Sequence, residues 1–308
     1  MSEISAQLVK QLREKTGAGM MDCKKALGEV SGDLEAAVDW LRKKGLAAAA
    51  KKSGRVAAEG LVAVLTSDHA GVAVEVNAET DFVARNEQFQ AMVSKIAEIA
   101  LAENHTVDSL SHATYPGEGD TVAGALTHLI AVIGENMNLR RVKKVSVSQG
   151  LVTSYMHSAA APNLGKIGVP VALESAAPSD VLAELGKKIA MHIAATQPVA
   201  LNIEEVDPSL VERERAIFLD KAKASGRPDD IIEKMVEGSV RKFYEDVVLL
   251  EQSYIMDQSK RIKDVIADAS KQTGTDVKIA SFVFFKLGDG IEKEQGDFAA
   301  EVMAQAKA

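Results

Sequence analysis

Residues 60–76 read GLVAVLTSDHAGVAVEV, and this stretch decides the fold. Two apolar, β-branched runs, Leu61 to Thr66 and Val72 to Val76, flank a polar turn around Asp68 to Gly71, which is the pattern of a β-hairpin. Before Val56 the apolar residues recur at helical spacing and after it they alternate, so a new domain begins there. A helix is predicted over 87–101, where Phe89, Met92, Val93, Ile96 and Ile99 share one face. The order strand, strand, exposed loop, helix then recurs. Gly60-Leu61-Val62 is echoed by Gly150-Leu151-Val152, Val72 to Val76 by Ile167 to Leu173, and the helix by Val181 to Ala195. Two hairpin-helix units can be alike by chance, but the repeated Gly-Leu-Val and the matching spacing favour an internal duplication. Pro170 predicts an edge strand or a bulge in the second copy.

The N-terminal segment reads as three short helices. Ser5 can cap the first, whose Leu8, Val9 and Leu12 fall on one side before the Thr16-Gly17-Ala18-Gly19 break. The second runs from about Met20 to Val30, and Asp33 can cap a third carrying Leu34, Ala37, Val38 and Leu41, with Gly45 as its left-handed exit. Residues 46–55, Ala-rich and basic, form a connector that could be helical or extended. Toward the other end, 207–248 is densely charged. Leu210, Ile217 and Ala224 repeat every seven residues, and Val236, Val240, Phe243 and Val247 alternate spacings of four and three. These are the seam of an antiparallel helical hairpin, either a projecting interaction arm or a plain surface pair. Val277 to Leu287 predicts one more strand and Asp297 opens a terminal helix. The class is α+β. Its expected divisions are a bundle (1–45), a linker (46–55), a core N-subdomain (56–141), a core C-subdomain (142–206 and 249–271), the hairpin (207–248) and a C-terminal module (272–308).

Composition excludes several functions. At 308 residues, with 46% hydrophobic and 26% charged, the chain is an ordinary globular protein, and with only 4% aromatics a broad aromatic pocket is not favoured. A net charge of −8 argues against bulk nucleic-acid binding, which rests on Lys and Arg displacing counterions. One cysteine, Cys23, allows no intrachain disulfide. Met1 to Lys10 lacks the order of a signal peptide, no apolar run matches a membrane span, and the expected address is the cytoplasm. Neither a Gly-x-x-x-x-Gly-Lys-Ser/Thr loop nor a Gly-x-Gly-x-x-Gly turn occurs, and the six histidines have no zinc-site spacing, so no cofactor or metal is expected. Cys23 lies near a helix start, where a thiolate could be stabilised, but Met20 and Met21 beside it and the opposing charge of Asp22 favour a packing role.

The informative segment is Thr80-Asp81-Phe82-Val83-Ala84-Arg85. Asp81 could cap the next helix with Phe82 in the core, or Phe82 could be an apolar anchor on a polar tip, the form of a protein-binding hot spot.

At these residues the chain resembles the bacterial elongation factor Ts family. The matching stretches are Leu12-Arg13, Thr16 to Leu27, Thr80 to Arg85, Ile133-Gly134-Glu135-Asn136, Ile189 to Ala195 and Lys234 to Gly238. The resemblance implies a UBA-like N-terminal bundle, a two-part core, an antiparallel coiled-coil arm and a C-terminal module. It implies guanine-nucleotide exchange on elongation factor Tu without covalent chemistry, and no direct nucleic-acid or membrane partner. Thr80, Asp81, Phe82 and Val83 would disturb the partner's magnesium site. Arg13, Met20 and Met21 would contact its nucleotide domain, Ile133 and Gly134 would support that contact, and His157 would reach a more distant domain. The rival functions are a non-catalytic adaptor and a thiol enzyme using Cys23. One departure stands out: the family joins its matching histidine to Arg-Ile-Gly by a very short link, whereas His157 here is followed by 158–165 and then Lys166-Ile167-Gly168.

Overall fold

A computed structural model describes residues 4–117 and 120–292. Three helices come first, α1 (Ala6–Thr16), α2 (Met20–Glu29) and α3 (Leu34–Lys52). There follow β1 (Glu59–Thr66), β2 (Ala70–Ala78), α4 (Glu87–Ala102), α5 (Val107–His112), α6 (Val122–Ile133), β3 (Met137–Ser146), β4 (Gly150–His157), β5 (Leu164–Gly165), β6 (Ile167–Ser175) and α7 (Ser179–Thr196). The chain continues with α8 (Pro208–Lys223), α9 (Asp229–Val247), β7 (Ser253–Tyr254), β8 (Asp257–Arg261), α10 (Ile262–Thr273), β9 (Val277–Phe282) and β10 (Phe285–Lys286). Helices and antiparallel strands thus alternate irregularly, an α+β arrangement.

Ser5 and Asp33 cap α1 and α3 by accepting from the amides of Leu8 and Ala36, and Gly17 closes α1 at φ 64°. Leu12, Cys23, Ala26, Leu27 and Ala37 make the small core of this bundle. Gly45 is not an exit. The third helix runs through it to Lys52, so most of the 46–55 connector is helical. A Cβ at Gly45 would lie 3.1 Å from the Ala131 Cβ, and the glycine therefore lets α3 close against α6.

The core is two sheets face to face, each backed by helices. The first has the order β3-β2-β1-β5; in the second β6 lies between β4 on one side and β9 and β10 on the other. Alternation along β1 sends Leu61 and Ala63 to the layer with α4 and α6, and Val62 and Val64 to the space between the sheets. Val169, Val171 and Leu173 of β6 face α7 and α10.

The two hairpins share detailed geometry. Gly60 (φ 116°) is the second residue of β1 and Gly150 (φ 131°) the first of β4, and a Cβ at either would strike a backbone oxygen of the opposite strand, Val76 at 2.3 Å or Leu173 at 2.0 Å. The bulge toward the third strand falls between Glu75 and Val76 in one and between Ala172 and Leu173 in the other, which are matching registers.

Pro170 lies on a central strand rather than an edge or a bulge. It falls between the β6 residues paired with β9 and those paired with β10, where the ladder is interrupted and no N–H is needed. The single strand expected over 277–287 is divided by that interruption. The seam expected on α8 is one position out of phase: Val211, Phe218 and Ala222 pack inward, while Leu210, Ile217 and Ala224 are exposed. On α9, Val236, Val240, Phe243 and Val247 pack inward as expected. The helix expected from Asp297 lies outside the described residues.

Candidate functional site

The β1–β2 hairpin ends at the pair Glu59 and Ala78, and the chain turns outward at Thr80. A single 3-10 turn, Val83–Arg85, follows. The amides of Arg85 and Asn86 donate to the carbonyls of Phe82 (3.1 Å) and Val83 (2.9 Å), and the Ala84 carbonyl accepts from Gln90 Nε2 (2.9 Å). The turn stands with Val83 pointing in, 3% exposed, and Phe82 pointing out, 76% exposed. Asp81 does not cap the next helix; Asn86 does, its Oδ1 accepting from the amides of Gln88 and Phe89. Of the two local alternatives, the geometry is therefore the exposed tip.

The segment beside this turn comes from the end of α6. Gly134 stops that helix at φ 92°, a conformation that favours glycine, and Glu135 and Asn136 run into β3. Glu135 Oε2 accepts from the Thr80 amide (2.9 Å) and Oε1 from the Thr80 hydroxyl (2.7 Å). In return Glu79 Oε1 accepts from the Asn136 amide (2.6 Å), and the Asn136 side chain donates to the Arg55 carbonyl (2.8 Å). Glu79, Glu135, Asn136 and Arg55 carry no role that the sequence pattern alone reveals. The signal that finds them is strand register, which requires β3. That strand carries Asn138, Arg140, Arg141, Lys143 and Lys144 and has no apolar alternation to announce it.

The bundle presents a second apolar patch: Met20 is 61% exposed and Met21 78% exposed at the start of α2, and Arg13 is exposed on α1. A Cβ at Gly17, in the α1–α2 turn, would lie 3.7 Å from Gln88 Nε2 and 3.9 Å from Val132. The bundle thus meets the core at the first turn of α4 and the last turn of α6, the two elements that flank the Phe82 turn. A cavity of about 450 Å³ lies between bundle and α6, lined by Leu41, Gly45, His128 and Ala131 among others, and neither Asp81 nor Phe82 borders it. The tip is separate from this cavity.

His157 is elsewhere, exposed at the end of β4 with its Nδ1 3.1 Å from the Tyr155 hydroxyl, and no contact links it to the tip. The longer link after it supplies β5, which adds to the edge of β1 through Val62 and Ala63. Cys23 is fully buried in the bundle, and desolvation, with Asp22 in support, raises its pKa against the weaker pull of Thr16 and Arg13. Such a thiol is a poor nucleophile at neutral pH, contrary to the thiol-enzyme alternative. Among the described residues no group of His, Cys, Asp and Glu is placed to hold a metal, and no helix is long and apolar enough to cross a membrane.

Fold and site together define an α+β protein with a protruding aromatic tip and an exposed methionine patch. A family model described as Elongation factor TS matches residues 79–289. Proteins named Elongation factor Ts from Rhodospirillum centenum and Rhodospirillum rubrum are 63% and 60% identical over 99% and 100% of this chain, and the match covers 100% of each. One from Paramagnetospirillum magneticum is 60% identical over 99% of the chain and 98% of its own length. The chain belongs to the elongation factor Ts family.

Proposed function

We propose that this chain is a guanine-nucleotide exchange factor of translation elongation, which speeds GDP release from elongation factor Tu by pressing Asp81 and Phe82 toward the magnesium and phosphate site of that GTPase. Family membership supports the exchange role. The observation that carries the mechanism is the outward-facing Phe82 on a turn plugged by Val83. Leaving a phenylalanine in water forgoes about 1.5–3 kcal/mol of burial, a sacrifice that a binding partner recovers.

In this reading Thr80 to Val83 form the wedge, and Arg13, Met20 and Met21 grip the nucleotide domain. Ile133 and Gly134 back that contact, and His157 touches a more distant domain. The bundle is UBA-like, the core a duplicated hairpin-helix unit, and α8 and α9 a coiled-coil arm, with the divisions 1–45, 46–55, 56–141, 142–206 with 249–271, 207–248 and 272–308. The partner's magnesium joins its own ligands to GDP phosphate oxygens, so displacing the supports of the ion weakens the nucleotide. Linkage makes this reciprocal: GDP weakens binding of the factor by the same ratio. A ten-thousand-fold effect needs about 5.5 kcal/mol of differential binding, within reach of a few anchored side chains. No covalent step is required.

The test is stopped-flow release of fluorescent GDP from elongation factor Tu. Phe82→Ala is expected to slow release by at least about tenfold, the loss of one hot-spot side chain, with the fold intact. Release at the unassisted rate with wild-type factor bound would instead establish a non-catalytic adaptor, and wild-type kinetics from Phe82→Ala would remove the wedge.

A further inference from the structure

We infer that Glu135 and Glu79 are positioning residues for the tip, a pair of carboxylates that ends the β2–β3 ladder at a fixed point and holds the Thr80 turn in its projecting form. The inference rests on the exchange reading for its functional consequence, and on geometry alone for its structural one.

The β2–β3 ladder stops at the pair Ala78 and Met137. Continuing its register outward would set Glu79 opposite Asn136 and Thr80 opposite Glu135. There the strands no longer exchange backbone bonds. Each strand instead lends a carboxylate to the amide on the other side: Glu79 accepts from Asn136 N–H and Glu135 accepts from Thr80 N–H. A longer antiparallel ladder would supply a carbonyl at only one of these two consecutive pairs, whereas the carboxylates satisfy both amides although the strands have parted. The parting leaves room for the outward turn on one side and for the left-handed Gly134 on the other.

Charge-assisted bonds of this kind are stronger than neutral ones, and Glu135 makes two of them to a single residue, fixing Thr80 at both backbone and side chain. Asn136 is buried and also donates to the Arg55 carbonyl, while the Arg55 guanidinium lies 3.4 Å from Glu79. Arg55, Glu79 and Asn136 thus close a circuit through side-chain and backbone atoms, and Glu135 clamps Thr80 beside it. Phe82 stands two residues beyond the last clamped atom and is largely exposed. With Val83 seated in the core, the clamp and that plug are the two fixed points from which the tip takes its direction. A wedge that is already ordered loses less entropy on insertion, so the clamp favours the step in which the tip acts.

The test uses the full chain and the variants Glu135→Ala, Thr80→Val and Thr80→Ser, with Phe82→Ala as control. Thr80→Val keeps shape and removes only the hydroxyl; Thr80→Ser restores it. Amide hydrogen exchange of the free protein reads the order of 79–86 without any partner, and release of fluorescent GDP from elongation factor Tu reads function. Glu135→Ala is expected to speed exchange at the Thr80 amide and to lower the GDP-release rate at saturating factor by about tenfold, the loss of one to two charge-assisted bonds. The half-saturating concentration, governed by contacts elsewhere, is expected to change less. Thr80→Val should show part of the loss and Thr80→Ser should recover it. If Glu135→Ala disturbs the fold, the Thr80→Val and Thr80→Ser pair decides. An unchanged Thr80 amide in folded Glu135→Ala, or equal rates for Thr80→Ser and Thr80→Val, overturns the clamp. If Phe82→Ala releases GDP at the wild-type rate, the wedge fails instead, and the amide exchange still decides whether the carboxylates order the turn.

Discussion

Phe82 and Val83 are neighbours with opposite surroundings, and single substitutions separate their roles. Val83 is buried against the cluster of Val72, Val74, Val76 and Phe89, so Val83→Ala is expected to cost about 1–3 kcal/mol in urea unfolding. Phe82→Ala should change stability by less than about 0.5 kcal/mol, because an exposed ring loses little on truncation. Equal costs would mean that the two side chains are not segregated in solution. His192 is the other residue whose environment makes a measurable statement. It is fully buried in α7, its Nε2 lying 2.9 Å from Gln252 Oε1 and its Nδ1 accepting from the Ile255 amide (3.3 Å). Desolvation lowers its pKa, only partly opposed by the Gln252 bond. A depressed folded value means that the unfolded chain binds the extra proton first, so the contribution of His192 is complete above about pH 6.5 and is lost as pH falls through the folded value. His192→Gln should flatten the stability profile in that window relative to wild type; parallel profiles would show that His192 is not the group titrating. The sequence could place Phe82 on a loop but left its direction open, since Asp81 is a competent cap and only the backbone path gives that place to Asn86.

At the scale of elements, the strongly alternating or amphipathic segments were legible and the ambiguous ones slipped by one position. The β1–β2 hairpin, α4 and α7 occupy the expected places because each carries an uninterrupted pattern between turn residues. The α8 seam slipped because apolar residues come in adjacent groups, Leu210 with Val211 and Ile217 with Phe218 and Leu219, so a heptad can be counted along either phase. Packing against α9 selects the phase of Val211, Phe218 and Ala222. Phe218→Ala is therefore expected to destabilise the helical pair by about 2–3 kcal/mol, toward the low end for a half-buried ring, and Ile217→Ala by less than about 1 kcal/mol. Local unfolding measured by amide exchange along α8 and α9 distinguishes them, and the reverse ranking would restore the seam read from sequence. Gly45 misled for a different reason. Glycine marks a helix exit only when its left-handed freedom is used, and here its missing side chain is used against Ala131, a long-range contact that no local pattern records.

For the whole molecule, the feature least visible in sequence is the junction between the two sheets. Small residues set their approach: a Cβ at Gly71 would lie 2.7 Å from Val152 Cγ1, and a Cβ at Gly168 would lie 2.4 Å from Val64 Cγ2, each glycine admitting a valine of the opposite hairpin. At one edge of this junction is Glu75, fully buried on β2. Its carboxylate accepts from Arg140 Nη1 (3.1 Å), Arg141 Nε, Asn77 Nδ2 (3.0 Å) and the Gly288 amide (2.9 Å). Arg141 also donates to the Lys286 carbonyl (2.7 Å) and lies over the Phe285 ring at 4.4 Å. One side chain thus joins β2 and β3 of the first sheet to the β10 turn of the second. The matching position in the other hairpin is Ala172, so local repetition gives no hint of the charge, and its partners other than Asn77 lie far away in sequence. Removing one member of a buried ionic cluster is costly because the others stay desolvated without a counter-charge. Both arginines keep some solvent contact, which reduces that penalty. Glu75→Ala is therefore expected to lower stability by about 3 kcal/mol in urea, with little response to salt because the carboxylate is screened by protein rather than by ions. Glu75→Gln retains an acceptor for the Gly288 amide and should cost less. A midpoint for Glu75→Ala within the error of wild type would mean that Arg140 and Arg141 turn to water at no penalty, and that the apolar layer between the sheets holds them without the ionic cluster.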